Sequence, residues 1–140
     1  MRRTSGGIGR SSVRRMTDPV FDADTIAALR DLREVRIETL GPNGQPHRVI
    51  IWVVVDDSGR VGIRSWRGAG ARWYREGVAA GRAAFIVGER TLPVRVEVAD
   101  DAERIEACSR ALLAKYGGGV TARSMVRDEI LDTTLVLHPG

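Results

Sequence analysis

Residues 64–75 gather most of the chain's chemically useful side chains in one short stretch, Arg64-Ser65-Trp66-Arg67-Gly68-Ala69-Gly70-Ala71-Arg72-Trp73-Tyr74-Arg75. Ser65 offers a hydroxyl. Arg64, Arg67 and Arg72 offer planar guanidinium forks that match phosphate oxygens. Gly68 and Gly70 let backbone N–H groups come close to an anion. A helix starting just after them would add positive potential at its N-terminus. Trp66, Trp73 and Tyr74 are suited to wall a ring system. Together these types predict a site for a phosphorylated, ring-bearing molecule. The same residues also fit an arginine-rich surface loop with two core tryptophans, and spacing alone leaves both readings open.

Other chemistries lack their residues. His47 and His138 are the two histidines, and Cys108 is the single cysteine. No metal-ligand spacing, nucleophile elbow, lysine-bearing phosphate loop or dinucleotide fingerprint is present. Both histidines are expected at strand edges. Cys108 lies among Ile105, Ala111 and Leu112, which predicts a small buried apolar residue. The carboxylate pairs Asp56-Asp57 and Asp100-Asp101 fall where a turn and a helix start are expected. No side chain is assigned as catalytic acid or base, so a cofactor would have to carry any redox step.

The elements that position residues 64–75 are legible from periodicity. Asp22 caps a helix over about 23–33, with Ile26, Leu29 and Leu32 at helical spacing and Phe21 stapling Ile26. Val35 to Leu40 alternates as a half-buried strand, with Val35, Ile37 and Thr39 inward. Gly41-Pro42-Asn43-Gly44 turns the chain into Val49–Val55, an apolar run that predicts one strand covered on both faces. After Asp56-Asp57-Ser58-Gly59 a third strand runs to Ser65, completing an antiparallel meander. A short helix over Arg72–Ala80 ends at Gly81, and strands follow over Ala83–Val87 and Leu92–Val98, the latter with Val94, Val96 and Val98 inward. Asp101 opens a helix through Tyr116, which the glycines at 117–119 stop; a helical turn capped by Thr121 and a strand over Thr133–Leu137 complete the chain. Six strands with interspersed helices predict an α+β fold, a small antiparallel barrel.

With that order in place, "PHRVIIWVVVD", a turn, and "VGIRSWRGAGARWYREGVAAGRAAFIVG" resemble the flavin-binding split β-barrel superfamily. That group includes pyridoxamine-phosphate oxidase-like proteins and deazaflavin-dependent nitroreductases. Within it the chain is most similar to a domain-of-unknown-function family of short bacterial proteins. The resemblance spans about residues 33–100. It implies a six-stranded antiparallel split β-barrel that binds FMN or the deazaflavin coenzyme F-420 and transfers hydride to or from a small molecule. It implies a homodimer with the site between two barrels. Carried over, Ser65, Arg67 and Gly68 would hold the cofactor phosphate, and Arg48 would touch the cofactor. The backbone around Ile50 to Trp52 would meet the ring. Trp66 and Trp73 would shape the ring pocket, and Arg72 would assist with anionic groups. Trp66 and Arg67 stand where the deazaflavin group usually has lysine and glycine, so FMN and deazaflavin both remain open. The alternative is a non-catalytic binder of a flavin, a haem or another small molecule.

Composition bounds the rest. The 140 residues and 43% hydrophobic content fit one domain with a real core. The charge is uneven: residues 1–16 carry five arginines and no acid, while the remainder holds 17 basic and 18 acidic side chains. Residues 1–20 are expected to be a disordered basic segment and residues 21–140 the barrel domain. A near-neutral domain lacks the cationic excess that nucleic-acid binding needs. The longest apolar run is too short to span a bilayer, and no apolar stretch follows Arg2 and Arg3, so a cytoplasmic location is expected.

Overall fold

A bend at Trp52-Val53 organises the fold. The computed structural model describes residues 20–140. The expectation for residues 1–20 therefore lies, apart from Val20, outside the described residues. In chain order the elements are α1 (Ala23–Asp31), β1 (Val35–Leu40), β2 (Pro46–Ile51), β3 (Val54–Val55), β4 (Val61–Ile63), α2 (Arg72–Ala80), β5 (Arg82–Val87), β6 (Arg90–Val98), α3 (Ala102–Tyr116), α4 (Val120–Ser124) and β7 (Leu135–Pro139). Two 3-10 turns, Gly68–Gly70 and Asp128–Thr133, flank the site region.

The strands form one antiparallel sheet in the order β2-β1-β5-β6-β7-β4-β3. β2 and β3 stand at its two ends, yet Ile51 and Val54 are only three residues apart, a reach of at most ~11 Å. The sheet must therefore curl until its ends meet, and the bend closes it into a split barrel of α+β class.

This corrects the expected strand over Val49–Val55 and raises the count from six to seven. The two halves serve different neighbours: β2 pairs with β1 and β3 pairs with β4. The Val53 carbonyl is bonded outside the sheet, accepting from Lys115 Nζ at 2.7 Å and from Tyr116 OH at 3.4 Å. Trp52 turns to stack on Tyr116, with ring centroids 3.8 Å apart. Nor is the run covered on both faces, because Ile50 is 61% exposed.

The core fills the barrel. Val35, Ile37, Ile51, Val53, Val61, Ile63, Phe85, Val94, Leu135 and Leu137 form its centre. β1 shows the expected alternation, with Val35, Ile37 and Thr39 buried. A second cluster seats α3 on the barrel through Cys108, Leu112, Val54, Met125 and Ile130. Gly62 makes that seat possible, because a Cβ there would lie 3.2 Å from Cys108 Sγ.

Asp22 and Asp101 cap α1 and α3 as expected, accepting from the Thr25 and Arg104 N–H groups. Other expectations differ locally. Val96 is only partly buried and Val98 is exposed. α4 starts from Gly119, with no side-chain cap from Thr121. The final strand begins at Leu135, because residues 128–133 form a 3-10 turn. Among the described residues, no helix is long and apolar enough to cross a membrane.

Candidate functional site

β4 delivers the chain to the site. Every residue from Val61 to Ser65 is buried, and the chain then emerges as the exposed Trp66-Arg67 pair. The Ser65 N–H donates to Thr133 Oγ1, and the Ser65 hydroxyl donates to the Gly68 carbonyl at 2.6 Å. The Gly68 N–H donates back to Ser65 O. Gly68 has φ +81°, a conformation that disfavours any side chain, so this turn needs glycine. The turn leads into α2, whose N-terminus has no side-chain cap. Its first N–H groups are left available to a ligand or to water.

Between this loop and β2 lies an open cleft of about 890 Å3. That size is within the roughly 300–1,000 Å3 typical of small-molecule sites. Trp52, Trp66 and Trp73 contribute its aromatic surface, and Val49, Ile50 and Ile51 bring in β2. β2 ends the sheet, so one side of its backbone has no strand partner. Arg64, Arg67, Arg72 and Arg75 all line the cleft, and among the described residues no carboxylate does.

The four arginines are not equivalent. Arg67 makes no hydrogen bond or ion pair among the described residues and is exposed. Arg72 Nε lies 2.9 Å from Glu76 Oε2, and Arg75 Nε donates to Gly70 O. Arg64 is the surprise: it is 1% exposed, at the base of the cleft. Its donors go to Thr134 Oγ1, Met125 O and Ile105 O at 2.7–3.0 Å. Burial lowers its affinity for a proton. The sequence reading offered Arg64 to phosphate, and the structure corrects this: its guanidinium ties β4 to α3 and to the segment before β7.

The structure therefore gathers Trp52, Trp66, Arg67, Arg72 and Trp73 on one cleft, which Ile50 also borders although its side chain shares the outer face of β2 with Arg48. Ser65 and Gly68 build the loop behind it, with the Ser65 side chain fully buried. Arg48 is not on the wall. It lies on the outer face of β2, paired with Glu38 at 2.7 Å. Trp66 is held by Nε1 donation to Ser124 Oγ and by the Arg127 guanidinium over its ring.

Sequence reasoning missed His47, which also lines the cleft. Its alternation with Arg48 was a visible signal, but its neighbour Glu76 lies on α2 and is brought near only by folding. His47 Nδ1 sits 3.4 Å from Glu76 Oε1. The other histidine, His138, pairs with Glu97 and is not part of the cleft wall.

A protein-family model described as "Uncharacterized protein conserved in bacteria (DUF2255)" matches residues 25–137. The chain belongs to the DUF2255 family. No curated protein matches this DUF2255 chain. Solved structures that resemble it are split barrels of the pyridoxamine-phosphate oxidase-like kind. The haem storage protein HutZ of Vibrio cholerae is 10% identical with TM-score 0.60, covering 86% of this chain and 91% of its own. A putative pyridoxamine 5'-phosphate oxidase of Listeria innocua is 11% identical with TM-score 0.57, covering 84% and 90%. A protein named F420 reductase is 18% identical with TM-score 0.51, covering 81% and 91%. At these identities the likeness concerns the fold.

Proposed function

We propose that this DUF2255 protein binds FMN or the deazaflavin coenzyme F-420 in the cleft and serves as an oxidoreductase on a small molecule. One observation carries the reading: the exposed Arg67, Arg72 and Arg75 and three tryptophans line one cleft beside an unpaired strand edge, with no carboxylate on its wall among the described residues. Such a wall suits a ligand with an anionic tail and a flat ring. The split-barrel neighbours named for pyridoxamine-phosphate oxidase and F420 reductase support the same class.

Arg67, with the uncapped α2 N-terminus, would hold the phosphate, and Arg72 would add charge at the margin. Ser65 and Gly68 would act by fixing the loop. Trp66 and Trp73 would flank the ring, and the free edge of β2 from Ile50 to Trp52 would meet its polar rim. A bound flavin or deazaflavin would supply the hydride chemistry; the chain would orient it and exclude water. The exposed outer face carrying Leu40 (48% exposed), Arg48 and Ile50 (61%) would pack against a second copy in a homodimer.

The absorbance of freshly purified protein tests the reading, since flavin, deazaflavin and haem differ in spectrum. Ser65→Ala with Arg67→Ala should lower FMN affinity by about tenfold to a hundredfold, the worth of a charge-assisted hydrogen bond. Unchanged affinity would refute the phosphate assignment. A carrier without turnover is the second reading. It is favoured by the Ser65 hydroxyl and Arg72 being engaged within the protein. Reduction of the bound cofactor without transfer to any acceptor would decide for it.

A further inference from the structure

His47 is a cleft residue with an unsatisfied atom. Its Nδ1 is buried and has no aligned hydrogen-bond partner. The carboxylate beside it is held from two other sides. Glu76 Oε1 accepts from Thr39 Oγ1 at 2.7 Å, and Oε2 accepts from Arg72 Nε at 2.9 Å. Those two bonds hold Glu76 below the usual carboxylate range, so it is ionised at neutral pH. Gly41 packs against this pair, since a Cβ there would be 3.3 Å from Arg72 Nη2 and 3.5 Å from Glu76 Oε2.

A buried N–H without an acceptor is costly, and Glu76 Oε1 at 3.4 Å is the anionic acceptor within reach of Nδ1. We propose that Glu76 fixes the proton of His47 on Nδ1, so that Nε2 faces the cleft as its acid–base group and ligand contact. This rests on the reading of the cleft as a ligand site. Nε2 makes no hydrogen bond among the described residues, although His47 lines the cleft. With its proton on Nδ1 the neutral ring offers Nε2 as an acceptor, and a protonated ring offers it as a cationic donor. An oxygen of an anionic ligand would be the natural partner of that donor. The charged groups around the ring are Glu76 and Arg72 from α2, with Arg64, Arg67 and Arg75 elsewhere on the wall. β1 contributes the neutral Thr39, opposite His47 in register.

Two measurements test this. Long-range nitrogen–proton NMR of the ligand-free protein reads the tautomer of each histidine at pH 8. With two histidines in the chain, His138→Gln assigns the signals. The expected result is His47 protonated on Nδ1, moving toward the Nε2 tautomer in Glu76→Gln. An Nε2-protonated His47 in the unmodified protein overturns the proposal, whatever the variant does. The second measurement is FMN affinity at pH 7 in the native protein and in His47→Ala. Losing a hydrogen bond to a charged ligand should raise the Kd at least about tenfold in the variant. An unchanged Kd overturns the role of His47 as ligand contact. FMN binding to neither protein overturns the flavin reading instead, and the tautomer measurement then decides the state of His47.

Discussion

Arg64→Ala should unfold this protein far more readily than any change at Arg67. The Arg64 side chain is 1% exposed and makes three hydrogen bonds, to Thr134 Oγ1, Met125 O and Ile105 O. Truncation strands three buried acceptors at about 1 kcal/mol or more each and leaves a cavity besides. Relief from burying a cation offsets part of this, since among the described residues no carboxylate pairs with it. The net expectation is a loss of about 3–5 kcal/mol, placing it among the larger single-residue effects. With a urea slope of about 1.5 kcal/mol/M, the midpoint should fall by about 2–3 M. Arg64→Met keeps much of the volume and removes the charge, so it should lie between the native protein and the alanine variant. Urea denaturation followed by tryptophan fluorescence measures all three. An Arg64→Ala midpoint within about 0.5 M of native would refute the structural role and return Arg64 to the ligand.

Three further outcomes follow from the exposed face of β2 and from the burial of Cys108 and Lys115. Ile50→Glu should convert the proposed homodimer into monomers by light scattering, because it places a charge on the exposed outer face of β2; a monomeric native protein would sink the dimer reading. Cys108 should resist thiol reagents until denaturant is added, since burial pushes its thiol up to about 11; rapid labelling of the folded protein would contradict this. Burial pulls Lys115 down to about 8, below its usual value near 10.5, so the unfolded chain binds the extra proton between these values. Stability should therefore rise with pH from about 8 toward 9, above which loss of the Cys108 proton from the unfolded chain opposes the rise, and Lys115→Met should flatten it; a native protein with no steeper slope than Lys115→Met between about pH 8 and 9 would refute it.

Local signals reached most of the fold. Asp22 and Asp101 announced helix starts, and the alternation of Val35, Ile37 and Thr39 announced β1 with the correct inward face. Arg72–Ala80 was legible because Gly68 and Gly70 break the chain before it and Gly81, at φ +71°, ends it. The broken strand was not legible. Val49–Val55 is uniformly apolar, and nothing in it marks Trp52 as the turning point. The cause lies over 60 residues away, in Lys115 and Tyr116 on α3. The site divides in the same way. Arg67, Trp66 and Trp73 are neighbours in sequence and share a cleft. Arg64 fits the phosphate pattern as well as they do, yet strand alternation turns it under α3. The pairing of His47 with Glu76 joins two elements that only the closed barrel brings together.

The bend at Trp52-Val53 links stability to the site. If Val49–Val55 continued as one straight strand, β1 and β4 could not pair with successive halves of it while standing at different places in the sheet order. Bending the chain closes the barrel, and it also leaves one edge of β2 free beside the cleft. The helix that secures the bend does so at several points. Lys115 Nζ bridges Leu29 O and Val53 O, Tyr116 OH bonds Arg33 O, and the Tyr116 ring lies parallel to Trp52 at 3.8 Å. Trp52 is thus fixed from behind before any ligand arrives. A ring meeting its remaining surface would not have to order it, which lowers the entropic cost of binding. The same residues that end one strand and start another therefore preorganise one wall of the cleft.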